Sequence, residues 1–97
     1  MNLQEATEAV KAKVGTDSGL GATVKFALED GVIFLDAKKV PNIVSNEDKE
    51  AECTIRLTLE NFSKMLAGDL DATLAYMTGR LKVEGNMGVA MKLSSVL

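Results

Sequence analysis

Apolar residues near the start of the chain recur with the period of a helix. They are spaced three or four positions apart: Leu3, Ala6, Val10 and Val14. Asn2 precedes this stretch and Glu5 follows three positions later, which is the sequence signature of a capping box. Gly15 is placed to end the helix. We therefore predict an amphipathic first helix that runs from Asn2 to Gly15.

Two strands are predicted after a polar and glycine-rich connection over Thr16 to Gly21. In the first strand, apolar residues occupy alternate positions: Val24, Phe26 and Leu28. Asp30-Gly31 is a strong hairpin signal. The next run, Val32 to Leu35, is apolar at every position, so we expect this strand to lie deeper in the sheet or to be covered on both faces.

The middle of the chain predicts a weak strand and then a strong one. Pro41 suits a sheet edge, and Asn42 to Ser45 has room only for a short strand. An acidic stretch follows, with carboxylates at Glu47, Asp48, Glu50 and Glu52. The clearest alternation in the chain then begins, and its inward-facing residues are Cys53, Ile55, Leu57 and Leu59.

The last third predicts helix, helix, strand and helix. A helix opening at Thr58 or Glu60 ends at Gly68, and a shorter one ends at Gly79. Their expected inward-facing residues are Phe62, Met65 and Leu66 in the former and Leu70, Leu74 and Met77 in the latter. A strand containing Leu81 and Val83 follows. Asn86 is placed to cap a final helix over Met87 to Val96, whose many apolar residues predict that it is largely buried.

This order of elements predicts the fold class. Strands grouped together and followed by segregated helices are typical of an α+β fold in which the helices cover one face of the sheet. A chain of 97 residues has room for one hydrophobic core. We therefore expect residues 1–97 to form one domain.

Composition excludes several classes of partner. The net charge of −3 provides no basic surface for nucleic acid. Cys53 is the single cysteine and cannot form an internal disulfide, and the first residues lack the pattern of a signal peptide. Charges interrupt every apolar run before it reaches membrane-spanning length. We expect a soluble, cytoplasmic protein, and the sequence does not indicate its oligomeric state.

The sequence gives little support for a catalytic function. The chain has no histidine, which removes the usual base beside a nucleophile, so a thioesterase that uses Cys53 is a distant alternative. The acidic stretch lacks the ordered ligand spacing of a calcium loop, and Asp69 and Asp71 suit a helix start instead of an acid and base pair. The glycines Gly79, Gly85 and Gly88 match no phosphate-binding motif. We predict no catalytic residues, no metal and no cofactor.

A resemblance to a known family suggests a different role. The block ECTIRLTLENFSKMLAGDLDATLAYMTGRLKVEGNMGVAMKL, Glu52 to Leu93, resembles the C-terminal half of the sterol carrier protein type 2 family, the nonspecific lipid-transfer proteins. The upstream hairpin VKFALEDGVIFLD fits the same family more loosely. Three departures are mild: the chain has no Trp, Asn61 replaces the usual acid, and Arg80 replaces the usual lysine. The ending SSVL lacks a peroxisomal address.

The resemblance implies a five-stranded, mostly antiparallel sheet with an apolar tunnel between the sheet and its helices. The ligand would be a fatty acid, fatty acyl-CoA, sterol or phospholipid, and membrane contact would be transient. The alternative is an accessory module that presents lipid to a partner enzyme. Carried over by position, the candidate ligand-binding residues are Phe26, Phe34, Ile55, Leu57, Phe62, Leu66, Leu74, Met77, Met87 and Met91.

Overall fold

The computed structural model describes residues 2–15 and 19–96. The predicted connection at Thr16, Asp17 and Ser18 therefore lies outside the described residues. In chain order, the elements are α1 (Leu3–Val14), β1 (Thr23–Leu28), β2 (Gly31–Asp36), β3 (Ile43–Ser45), β4 (Cys53–Leu57), α2 (Leu59–Leu66), α3 (Ala72–Met77), β5 (Leu81–Gly85) and α4 (Met87–Val96). Each predicted helix and strand is confirmed, including the short strand at the sheet edge.

The strands form one sheet in the order β3-β2-β1-β4-β5. Neighbouring strands are antiparallel except for β1 and β4, which pair in parallel, with Phe26 opposite Ile55. This topology confirms the α+β class and the mostly antiparallel sheet. It also places β4 and β5 beside each other, although α2 and α3 separate them in the chain.

Local signals in the sequence explain where several elements begin. The Asn2 side chain accepts a hydrogen bond from the Glu5 backbone N–H at 2.8 Å, and the Asn2 N–H donates to the Glu5 carboxylate at 3.1 Å, so the capping box is present. β1 and β2 are joined by a tight turn, with Leu28 paired to Gly31. Thr58 caps α2 through its hydroxyl oxygen, which accepts from the Asn61 N–H at 3.1 Å.

One face of the sheet packs against the helices and forms the core. Alternate residues of the central strands are buried there: Val24, Phe26, Leu28, Ile33, Leu35, Cys53, Ile55 and Leu57. The ring of Phe26 lies 5.0 Å from that of Phe62 on α2, centroid to centroid. Helix α1 adds Val10 and Val14 to the same cluster. The prediction that Cys53, Ile55 and Leu57 share an inward face is therefore confirmed.

The opposite face of the sheet is polar and carries ion pairs. Lys25 binds Asp48 at 2.9 Å, and Arg56 pairs with Glu84 across β4 and β5. Phe34 also lies on this face, since it pairs with Lys25 in the β1–β2 register. The ammonium group of Lys49 lies 5.8 Å from the centre of its ring. β2 is therefore covered on both sides, as its continuous apolar run predicted.

Two expectations about helix faces are wrong. On α3 the core contact is made by Ala75, whereas Leu74 and Met77 are 54% and 76% exposed. On α4 only one side is buried, and Met91 is 72% exposed. The physical reason is that Leu74 and Met77 lie on the side of α3 that faces away from the core, whereas Met91 lines an open cavity beside α4.

No described helix has the length and the apolar character required to cross a membrane.

Candidate functional site

A cavity of about 720 Å³ lies between the β4–β5 end of the sheet and helices α3 and α4. Ligand pockets in proteins commonly measure roughly 300 to 1,000 Å³. The lining is predominantly apolar, and its residues are Ile55, Met65, Gly68, Leu70, Asp71, Ala72, Thr73, Tyr76, Leu81, Val83, Met87, Ala90, Met91, Leu93 and Ser94. The site is therefore large enough for a ligand and suited to an apolar one.

The sheet supplies the floor of this cavity. Ile55 on β4 pairs with Val83 on β5, and Leu57 pairs with Leu81. Side chains directly opposite each other on paired strands lie on the same face, so Ile55, Leu81 and Val83 form a continuous apolar surface. Ile55 and Leu81 are almost completely buried, while Val83 on the edge strand is half-buried. The alternation in these two strands thus fixes the floor.

Helix α4 forms one wall. The backbone turns at Gly85, whose φ of 95° lies in the left-handed region that favours glycine. The Asn86 side-chain oxygen then accepts from the Val89 N–H at 3.3 Å and caps the helix. Val89 and Leu93 are buried and hold α4 to the sheet. Met87 and Met91, one turn apart, line the cavity from the side that is left uncovered.

The connection from α2 to α3, together with α3 itself, forms the other wall and contributes three of the four polar side chains of the lining. Asp71 caps α3, and its carboxylate accepts from the Thr73 N–H at 2.8 Å. Met65 and Leu70 are buried beside the cavity. The polar side chains in the lining are those of Asp71, Thr73, Tyr76 and Ser94. A ligand here would meet apolar carbon along the floor and polar groups at the α3 side.

The structure brings together three of the ten residues expected to contact a ligand. Ile55, Met87 and Met91 line the cavity. Four others belong to the filled core and lie outside the lining: Phe26, Leu57, Phe62 and Leu66. The remaining three are Phe34 on the opposite sheet face and Leu74 and Met77 on the exposed side of α3.

Several lining residues were not among those ten. Met65 and Leu70 had a signal in the sequence, because each was assigned to an inward face, and Leu81 and Val83 were placed in a predicted strand. Asp71 had none, since its place before a short helix is fully explained by capping. Sequence patterns identify the inward side of an element, but they do not show whether that side meets another side chain or open space.

The thiol of Cys53 lies outside the lining of this cavity. Cys53 is fully buried, and burial raises the pKa of its thiol. A thiol in apolar surroundings stays protonated and unreactive. Within 2–15 and 19–96 no three of the Cys, Asp and Glu side chains are grouped closely enough to hold a metal ion. The arrangement is suited to binding by apolar contact.

The fold and the cavity together define an α+β protein with a ligand-sized apolar space between its sheet and its helices. The family model of the SCP-2 sterol transfer family matches residues 3–97. The chain belongs to this family, which confirms the resemblance found in the sequence. The family is one of lipid-binding and lipid-transfer domains.

Curated relatives support this assignment. The chain is 31% identical over 102 residues to hydroxysteroid dehydrogenase-like protein 2 of Xenopus laevis, a match that covers 98% of this chain and 24% of the relative. It is 38% identical over 84 residues to human sterol carrier protein 2, covering 79% of this chain and 15% of that protein. The chain therefore corresponds to a minor part of these longer proteins.

Solved structures share the fold at lower sequence identity. The sterol carrier protein domain 2 of Helicoverpa armigera superimposes with a TM-score of 0.75 at 21% identity, covering 96% of this chain and 82% of that one. The palmitated SCP2L2 of Aedes aegypti gives a TM-score of 0.73 at 21% identity, covering 99% and 94%. These similarities establish that the architecture is that of sterol carrier proteins.

Proposed function

We propose that the chain binds a single-chain lipid or a sterol-like molecule in the cavity between the sheet and helices α3 and α4 and transfers it without covalent chemistry. The observation that carries this proposal is a cavity of about 720 Å³ with a predominantly apolar lining, in which half-buried Val83 and exposed Met87 and Met91 leave apolar surface uncovered. Apolar surface left open in this way is stabilised when a ligand covers it.

The energetics suit a carrier. Burying about ten methylenes of a lipid tail at about 0.8 kcal/mol each gives roughly 8 kcal/mol. Association costs at least about 4 kcal/mol in lost freedom of motion. The modest remainder permits release as well as capture. The methionine side chains at positions 65, 87 and 91 are flexible and can adapt to tails of different shape.

Transfer also requires a route to a donor membrane, and the rim of the cavity supplies one. Leu74, Tyr76 and Met77 on α3 and Met87 and Met91 on α4 are the large apolar side chains exposed on these two helices. We propose that this rim makes transient contact with bilayers. Since the contact is apolar and the net charge is −3, transfer from anionic vesicles should depend weakly on salt. A steep fall in the transfer rate with added salt would contradict this route.

An accessory role is the second candidate. The chain spans 24% of a dehydrogenase-like relative and 15% of sterol carrier protein 2, so in those proteins the matching region accompanies other sequence. This chain could in the same way present its lipid to a separate enzyme. A free buried thiol at Cys53 is compatible with the cytoplasm as the compartment for either role.

Lipid retained during purification provides a test. Native mass spectrometry of the purified protein, followed by extraction and identification of any adduct, reports occupancy and ligand class together. Delipidated protein should then take up a fluorescent fatty acid saturably, and an unlabelled fatty acid should displace it. Uptake that does not saturate, or that is not displaced, would contradict a defined binding cavity.

A further inference from the structure

The polar side chains that line the cavity include one charged group, and its charge is negative. Among the described residues that line the cavity, Asp71 is the single carboxylate, and the lining includes no lysine and no arginine. The uncharged polar side chains are those of Thr73, Tyr76 and Ser94. The hydroxyls of Thr73, Tyr76 and Ser94 can both donate and accept hydrogen bonds, so the negative charge of Asp71 is the feature of this lining that distinguishes a charged head group from an uncharged one.

The carboxylate of Asp71 has unused capacity to accept hydrogen bonds. One of its oxygens accepts from the Thr73 N–H at 2.8 Å. In the described part of the chain, Asp71 takes part in no salt bridge and no second side-chain hydrogen bond. A carboxylate has about four lone-pair positions, and a neighbouring cation would have used some of them. Asp71 is therefore free to interact with a ligand.

We infer that Asp71 determines which lipid head group the cavity accepts, favouring an uncharged hydroxyl over a carboxylate. This inference rests on the proposed function, because it requires that a lipid occupies the cavity. A hydroxyl can donate a charge-assisted hydrogen bond to Asp71, whereas a carboxylate brings a second negative charge to the same place. An ammonium head would also pair with Asp71, but a hydroxyl leaves water at much lower cost.

The substitution Asp71→Asn isolates the charge. Asparagine caps helices as well as aspartate does, so α3 should remain folded, while the negative charge is removed and an amide donor is added. Asp69→Asn is the matched control, because Asp69 is two positions away and exposed but does not line the cavity. Asp71→Ser is a second variant that also retains a capping oxygen.

The experiment compares two probes of equal chain length, dodecanol and dodecanoate, each displacing a fluorescent lipid from the delipidated protein. We expect the unsubstituted protein to bind dodecanol more tightly. The Kd for dodecanoate divided by the Kd for dodecanol should fall by about fivefold in Asp71→Asn and in Asp71→Ser. The same quotient should stay unchanged in Asp69→Asn. The effect is limited to about this size because Asp71 is exposed to solvent.

Three outcomes would overturn the inference. If the Kd for dodecanoate divided by the Kd for dodecanol is the same in the unsubstituted protein and in both Asp71 variants, the carboxylate does not affect the choice of head group. An equal change in Asp69→Asn would assign the effect to the overall field of the protein. Failure of both probes to displace the fluorescent lipid would contradict the proposed function itself, which distinguishes that failure from a cavity that binds both probes alike.

Discussion

Replacing Met91 by tryptophan tests whether the space beside α4 is ligand space or core. Met91 lines the cavity and is 72% exposed. Its neighbours one turn away along the same side of the helix are Met87 and Ser94, and both also line the cavity. An indole at this position should therefore extend into open volume, where it displaces lipid instead of pressing on packed side chains.

The size of the effect follows from the contacts that the indole would replace. An indole is longer than the methionine side chain, and we take it to exclude two to three methylenes of a lipid tail. At about 0.8 kcal/mol each, the loss is about 2 kcal/mol, which weakens binding roughly thirtyfold. Stability of the lipid-free protein should change by less than about 0.5 kcal/mol, because an exposed site does not become overpacked.

Met77→Trp is the matched control, since Met77 is 76% exposed on α3 but does not line the cavity. Met91→Leu conserves volume and should be nearly neutral. The assay combines chemical denaturation of the lipid-free variants with lipid affinity measured by displacement. If Met91→Trp loses about 1 to 3 kcal/mol of stability, the typical cost of overpacking, Met91 belongs to a filled core. Unchanged affinity in that variant would equally refute the reasoning.

Three further substitutions probe the parts that support the site. Cys53→Ala should cost about 1 kcal/mol of stability, because a buried sulfur is lost, yet leave lipid affinity within about twofold; complete loss of binding in a folded variant would revive a chemical role for the thiol. Gly85→Ala should destabilise by at least about 2 kcal/mol in denaturation, because an added Cβ would lie 2.4 Å from the carbonyl oxygen of Glu52. Lys38 and the Thr23 N–H lower the pKa of the Glu52 carboxyl below its usual 4.5, so Glu52 stabilises the fold above that pH and loses this contribution as pH falls through its lowered pKa. The stability difference between the parent protein and Glu52→Gln should therefore shrink on acidification, and a constant difference would contradict the assignment.

The sheet and the caps were predictable because their signals are local. Alternation in Cys53–Leu57 and Leu81–Gly85 identifies both the strands and their inward sides. Asn2, Thr58 and Asn86 each precede a helix that they cap. In these cases a short stretch of chain contains all the partners of the interaction, so reading the sequence is enough.

The cavity was only partly predictable, because it is the unfilled space between the sheet and helices α3 and α4. Phe62 and Met91 have similar apolar patterns around them, yet one is completely buried against Phe26 and the other is largely exposed. The hydrophobicity of a residue does not show whether its side chain packs in a core or lines an open cavity. The distinction depends on how α3 and α4 are placed on the sheet, which no local pattern encodes.

Phe34 shows a second reason for the limits of prediction. A continuous apolar run from Val32 to Leu35 hides the alternation between the two sheet faces. The pairing of Phe34 with Lys25 fixes its side, and that pairing depends on the hairpin register. A two-residue turn at Asp30-Gly31 would have placed Phe34 opposite Ala27, whereas the structure pairs Leu28 with Gly31 and so places Phe34 opposite Lys25.

Methyl NMR of the methionines tests the central claim most directly, because some of these side chains line the cavity and one lies outside it. Met65, Met87 and Met91 line the cavity, whereas Met77 is exposed on α3 outside it. With methionine methyl groups labelled with carbon-13, titration of a lipid that carries a nitroxide on its tail should broaden the signals of Met65, Met87 and Met91. The Met77 signal should be affected much less. Broadening confined to Met77, or equal at all four positions, would contradict binding between the sheet and helices α3 and α4.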